Sequence, residues 1–310
     1  MDILTQIFAV AFFAAAIRLS TPLIAAALGE VFAERAGIIN VGIEGMMLLG
    51  AFVAVVASYY THNPWLGVLA AVASAGALGL VHAFASIALR LDQIVSGIAI
   101  NLFVLGGTSS MLRVLFTDTR PQVEKFEPIR IPLCADLPVI GPIFCQQYML
   151  VYVVLGLVIL GHFVLFRTTL GLQIRAVGEH PKAADTAGID VVRIRYACVI
   201  FAGMMAGLAG SFLSLAQVGV FSDNMTVGKG WIALVAVVFG RWNPVGATLG
   251  ALLFGAVEVL SIRAQAYGLP IPHELLLALP YVVTILVFAG LIGQATSPAA
   301  LTRPYSKEMR

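Results

Sequence analysis

The groups able to do chemistry in this chain are few, and they stand in apolar surroundings. Arg18 lies within the first apolar stretch, Glu44 in Gly42-Ile43-Glu44-Gly45, and Glu258 within the stretch 244–262. An ionisable side chain at membrane depth is costly and is kept for a function or for a partner. Arg18 and Glu44 carry opposite charges on the first two apolar stretches, so they fit either an interhelical pair or a solute path. Glu258 stands close enough to a helix end to reach the interface. Asn40, Asn101 and Asn224 carry amides suited to a polar solute, and amides also bridge helices in lipid. The sequence holds no GxxxxGK[ST], GxSxG, HExxH or CxxC, no Asp-rich magnesium pair, and five scattered histidines. Moving a solute fits this set better than catalysis does.

Two stretches place such groups in backbone ill suited to a continuous helix. One is 37–45, GIINVGIEG, with three glycines in nine residues; the other is Gly228-Lys229-Gly230-Trp231. Broken helices at membrane depth are tolerated only where they line a cavity or are buried in protein. The candidate path residues are therefore Asn40, Glu44, Asn101 and Trp231. The Trp231 ring suits stacking on a planar solute, and equally a place at the membrane interface. Gly203 with Gly207, and Gly246 with Gly250, form GxxxG pairs that let helix backbones approach closely.

The elements that hold these residues follow from composition. Of 310 residues, 60% are apolar and 11% charged, and the mean hydropathy is +0.97. A soluble domain carries about 25% charged residues, so a water-soluble globule is excluded, and disorder with it. A net charge of +2 excludes a nucleic-acid partner as the main theme, and three cysteines exclude a disulfide scaffold. A bilayer core needs about 20 apolar residues per helix. Such stretches cover 3–28, 41–60, 64–89, 94–112, 148–166, 196–218, 244–262 and 272–293, with a half-length run at 231–240 that either crosses within 226–241 or is re-entrant. The expected fold is an all-α polytopic membrane bundle of eight or nine segments, ten with half-helices, in one permease-like domain over 1–310. The first segment lacks the basic start of a signal peptide and reads as a retained helix.

Lysine and arginine set the orientation. The loop 167–195 and the C-terminal tail hold eight of them. With nine crossings and both segments cytoplasmic, eleven basic residues lie inside and six outside, and the N-terminus is external. The loop 113–147 then faces outward with Cys134 and Cys145, which either pair in an oxidising compartment or stay free; Cys198 lies in an apolar run and suits packing. Within 167–195, Pro181 opens a short helix at 181–187 and Gly188 stops it. Its small alanines suit a docking surface.

Four segments carry a family resemblance: ERAGIINVGIEGMMLLGAF (34–52), RLDQIVSGIAIN (90–101), GLQIRAVGEHPKAADTAGI (171–189) and GKGWIALVAVVFGRWNPVGATLGALLFG (228–255). They resemble the ribose/branched-chain amino acid permease family of ABC importers, and within it the smaller permease of nucleoside importers. The likeness runs from about residue 15 to 293. It implies a non-catalytic membrane subunit in the bacterial inner membrane, working beside a second, larger permease. ATP and magnesium would be bound by a partner ATPase, and a periplasmic or lipid-anchored binding protein would deliver the solute. Nucleosides are the implied cargo; related permeases import sugars and riboflavin, and an ion-driven transporter acting alone is the rival of another class. The resemblance also makes 167–195 the coupling loop, with Gly178, Glu179, Pro181, Ala183, Ala184 and Gly188 against the ATPase. Two departures stand out. His180 replaces the usual Asn, which puts a helix-capping role in doubt, and an N-terminal extension found in many relatives is lacking.

Overall fold

A computed structural model describes residues 10–116, 121–132, 134–267 and 296–306, with isolated positions between 272 and 285. The start of the first predicted span and most of 272–293 lie outside the described residues. Seven described helices are long and apolar enough to cross a membrane. They are α1 (Val10–Arg35), α2 (Ile43–Thr61), α3 (Pro64–Ala83, continued by a wide turn to Ala88), α4 (Gln93–Phe116), α5 (Met149–Arg167), α8 (Val191–Ser211, continued to Val218) and α10 (Pro244–Ala266). Three shorter helices complete the set: α6 (Thr169–Glu179), α7 (Pro181–Thr186) and α9 (Lys229–Phe239). The chain is thus an all-α polytopic bundle, as its composition requires.

Polar residues beside each apolar run close the helix ends. Asn63, Asp92, Thr168, Asp190 and Asn243 each accept one or more backbone N–H groups from the first turn of the following helix. Proline follows Asn63 and Asn243 at a position where its missing N–H costs nothing. Pro22 is different, because it lies inside α1 and leaves the Arg18 carbonyl without its helical donor. The Gln217 Nε2 amide supplies that bond at 3.2 Å.

The centre of the bundle is α8, packed against α1, α2 and α3. Small residues make this possible. A Cβ on Gly203 would stand 2.5 Å from the Ala75 carbonyl, one on Gly50 would stand 2.6 Å from Gly207 Cα, and one on Gly210 would collide with the Met47 carbonyl. In the second GxxxG pair, Gly246 lies against Gly240 and Gly250 against Ala236. Both pairs serve close packing.

The two ends of the bundle differ. At one end, a short antiparallel ribbon pairs β1 (Pro128–Arg130) with β2 (Gln146–Tyr148), and Cys134 is bonded to Cys145. Of the two open readings for these thiols, the paired one holds. Cys198 is buried. At the other end, the tail meets the loop 167–195, where Ala300 N donates to the Gly178 carbonyl at 2.9 Å. Helix α5 leads from the ribbon to that loop, and α1 also joins the two ends. Arg18 bonds Gln146 and Gln147 beside the ribbon, while Arg35 lies against Gly178.

The half-length run resolves into two parts. Gly219 O accepts from Val123 N near the ribbon end, and Trp242 bonds Glu34 and Arg35 at the coupling end. Residues 219–242 therefore pass from one end to the other. Only α9 within them is helical, and its 11 residues span about 16 Å.

Candidate solute path and coupling surface

The stretch 37–45 is irregular as predicted, but it joins two full-length spans at the end where Arg35 meets Gly178 and Trp242, and does not interrupt a single helix. Helix α1 stops at Arg35, Gly37 takes a φ of +90°, and α2 starts at Ile43. Side chains from three helices satisfy the unwound backbone. Gln93 Oε1 accepts Ile39 N at 2.9 Å, and Glu30 Oε1 accepts Asn40 N at 2.7 Å. The His82 ring bonds the Ile39 carbonyl at 3.2 Å. Asn101 works at both ends of the segment: its Nδ2 donates to the Val41 carbonyl and its Oδ1 accepts Gly45 N. Gly97 lets α4 come this close, since a Cβ there would stand 2.6 Å from Gly42 N.

The second break meets the first. Glu44 accepts Gly228 N on Oε1 at 2.8 Å and Gly230 N on Oε2 at 2.6 Å. A half-helix presents unsatisfied N–H groups and the positive end of its dipole at its start, and Glu44 neutralises both for α9. Arg18 and Glu44 consequently do not pair. Arg18 reaches Gln147 Oε1 at 2.8 Å and the Gln146 carbonyl at 2.9 Å, and lies over the Tyr148 ring. The reason is depth. Seventeen residues of helix, about 25 Å, separate Arg18 from Arg35, whereas Glu44 follows just after the break.

Glu258 does not simply reach the interface. It binds Lys229 Nζ at 2.6 and 2.8 Å, because α9 packs on α10 and brings its first residue opposite. The pair borders a cavity of about 390 Å³, where Ser261 and Gln265 add polar groups to walls formed by Leu23 and Phe254.

The four path candidates do not all line one space. Asn40 is fully buried, with its Nδ2 on Met46 Sδ at 3.3 Å. Asn101 is committed to the broken segment, and Trp231 is 45% exposed on the outer face of α9. Asn224 lies in the irregular part of 219–228, with a φ of +53°. What unites Asn40, Glu44 and Asn101 is the junction between the two breaks. Sequence reasoning missed Glu30 and Glu34, which belong to the same junction. Both are buried, and Glu34 accepts the Trp242 indole N–H, while Arg35 Nε donates to the Trp242 carbonyl at 2.8 Å. The available signal was a pair of acids spaced i, i+4 ahead of the glycines, which the apolar count stopped short of.

The loop 167–195, the expected coupling loop, folds as two short helices. Helix α7 ends at Thr186, one residue before the predicted end, and Gly188 follows with a φ of +84°. His180 stands at the start of α7 and makes no capping bond with its side chain. The six docking candidates divide by direction. Glu179, Ala183 and Gly188 are exposed, and Pro181 is half-buried. Ala184 is buried with Val177 and Val191. Gly178 is buried against the end of α1, where a Cβ would collide with the Arg35 carbonyl.

Seven long apolar helices, one half-length helix held at its start by Glu44, and a short surface helix at one end define a polytopic membrane protein. Residues 12–288 match the family described as "Branched-chain amino acid transport system / permease component", and the chain belongs to that family. It is similar to the guanosine ABC transporter permease protein NupQ of Bacillus subtilis, with 41% identity covering 94% of this chain and 95% of the relative. It is also similar to the nucleoside ABC transporter permease protein NupC of Lactococcus lactis, with 40% identity covering 91% and 92%. The putative glucose ABC transporter permease protein TsgC13 of Haloferax volcanii is 36% identical, covering 97% and 99%. A second guanosine ABC transporter permease protein of Bacillus subtilis, NupP, is 26% identical over 80% of this chain.

Proposed function

We propose that this chain is one of two permease subunits of an ATP-driven importer and forms part of the solute path for nucleosides. The observation that carries the reading is the Glu44 junction. The start of α2 meets the connection that leads into α9 there, and the Glu44 carboxylate holds the start of that half-length helix. Such a junction shifts as a unit when either helix moves, which a transporter needs and a rigid bundle does not. The likeness to NupQ and NupC supports nucleosides over other cargo, and NupP supports a second, different permease. A sugar is the second reading, favoured by the likeness to TsgC13.

The rest of the machine follows from that reading. A partner ATPase binds ATP and magnesium and docks on Glu179, Pro181, Ala183 and Gly188; Gly178 and Ala184 hold that surface from behind. A periplasmic or lipid-anchored binding protein docks at the opposite end, chiefly on the loops 113–147 and 219–229. Asn40, Glu44, Asn101 and Trp231 are the path residues to vary first, with Lys229 and Glu258 beside them. The basic loop 167–195 and the tail occupy one end and the disulfide the other, which supports a cytoplasmic C-terminus and an external N-terminus. A lone ion-driven transporter would need a free titratable relay, and Glu44 and Glu258 are both engaged. The test is uptake of radiolabelled guanosine by cells that carry the whole transporter. Uptake is lost when this chain is deleted and restored when it is returned. Glucose uptake following the same pattern, with guanosine unaffected, would move the assignment to sugars.

A further inference from the structure

The tail at 296–306 is more than 100 residues from the coupling loop, yet it is folded onto the loop's inner side. Ala300 N donates to the Gly178 carbonyl at 2.9 Å, and Ala299 N donates to Glu179 Oε2 at 3.3 Å. Ala300 is buried, and Tyr305 packs on Val177, Ala184 and Val191, the cluster that seats α7. A third segment joins them through Arg195 on α8. This arginine is 1% exposed, and its Nε donates to the Ala36 carbonyl at 3.1 Å while its Nη1 donates to the Arg303 carbonyl at 3.2 Å. The fit at Gly37 is close: a Cβ there would stand 2.8 Å from Arg195 Nη2 and 3.1 Å from the Ala300 carbonyl.

We propose that the tail is a strap that ties the coupling loop to the break after α1, with Arg195 as the positioning residue. The inference rests on the importer reading above and adds the route by which motion leaves the loop. Helix α7 has six residues and buries one of them, Ala184, so its own packing is too slight to move membrane helices. The strap changes this. The last residues of α6, the Ala36 turn and the tail share one set of hydrogen bonds, so displacing the loop displaces the start of the 37–45 break. From there the connection continues along the backbone to Glu44, held by Glu30 at Asn40 N and by Asn101 at the Val41 carbonyl and Gly45 N. A planar guanidinium can hold two carbonyls of separate segments at once, and a lysine ammonium on a single flexible stem cannot do so with the same geometry. The Gly37 position accepts the strap because glycine allows both its positive φ and the close approach.

The experiment uses the whole transporter in proteoliposomes, with radiolabelled guanosine and the binding protein. Two variants are compared with the unaltered complex: a chain ending at residue 296, and Arg195→Lys. The quantity read is guanosine moved per ATP hydrolysed. Both variants are expected to assemble with the ATPase and to hydrolyse ATP within about twofold of the unaltered complex, while guanosine per ATP falls about tenfold, the range of a coupling between distant sites. An unchanged ratio in either assembled variant overturns the proposal. Loss of assembly in both variants also overturns it, because the tail then serves folding rather than coupling. If the unaltered complex itself moves no guanosine, the importer reading has failed, and the strap falls with it.

Discussion

Glu44 holds the start of α9. Its two oxygens satisfy Gly228 N and Gly230 N. Glu44→Ala leaves both donors unpaired, at a cost of about 1–3 kcal/mol each. The purified protein should lose thermal stability and uptake together, and Glu44→Gln, which keeps one acceptor oxygen, should fall between. Equal stability of Glu44→Ala and the parent protein would remove the capping role. The Lys229–Glu258 pair makes a second prediction. Its side chains are 13% and 31% exposed, so it is part-screened and worth less than a fully buried pair. Lys229→Glu should depress uptake sharply, and adding Glu258→Lys should recover most of it. Failure of the double exchange to recover uptake would mean that one of the two charges meets the solute directly.

At the scale of elements, the sequence was readable wherever one stretch explains itself. The seven long helices, the break at 37–45 and the half-helix after Gly228 all follow from apolar length, glycine spacing and flanking caps. The stop at Gly188 was equally legible. Pairings between stretches were not. Arg18 and Glu44 looked like partners because they lie on adjacent helices, but an antiparallel hairpin places them at different depths. Gln146 and Gln147, the partners of Arg18, stand more than 120 residues away and carry no charge to betray them. Ala183 and Ala184 looked like one flat surface, yet successive residues of a helix point about 100° apart. That division is testable. Ala183→Trp should leave folding and membrane insertion intact and abolish coupled ATP hydrolysis. Ala184→Trp should destabilise the protein by about 1–3 kcal/mol through overpacking against Val177 and Val191. The same stability loss from both would show that Ala183 is also enclosed.

For the whole molecule, the charges that composition showed to be scarce are placed at two ends and at the junction between the breaks. The basic loop and tail gather at one end, and the disulfide ribbon stands at the other. This arrangement predicts that Cys134, once the disulfide is reduced, reacts with an impermeant thiol reagent from the external side of intact cells. Labelling only in inside-out vesicles would reverse the orientation. The central claim, however, is that this permease is part of an ATP-driven importer of nucleosides. Its most direct test is guanosine accumulation in proteoliposomes that hold the complete transporter, with ATP supplied to the ATPase face and no ion gradient. The account predicts accumulation that requires ATP and disappears with Ala183→Trp. Accumulation without ATP, driven by an imposed proton or sodium gradient, would contradict it.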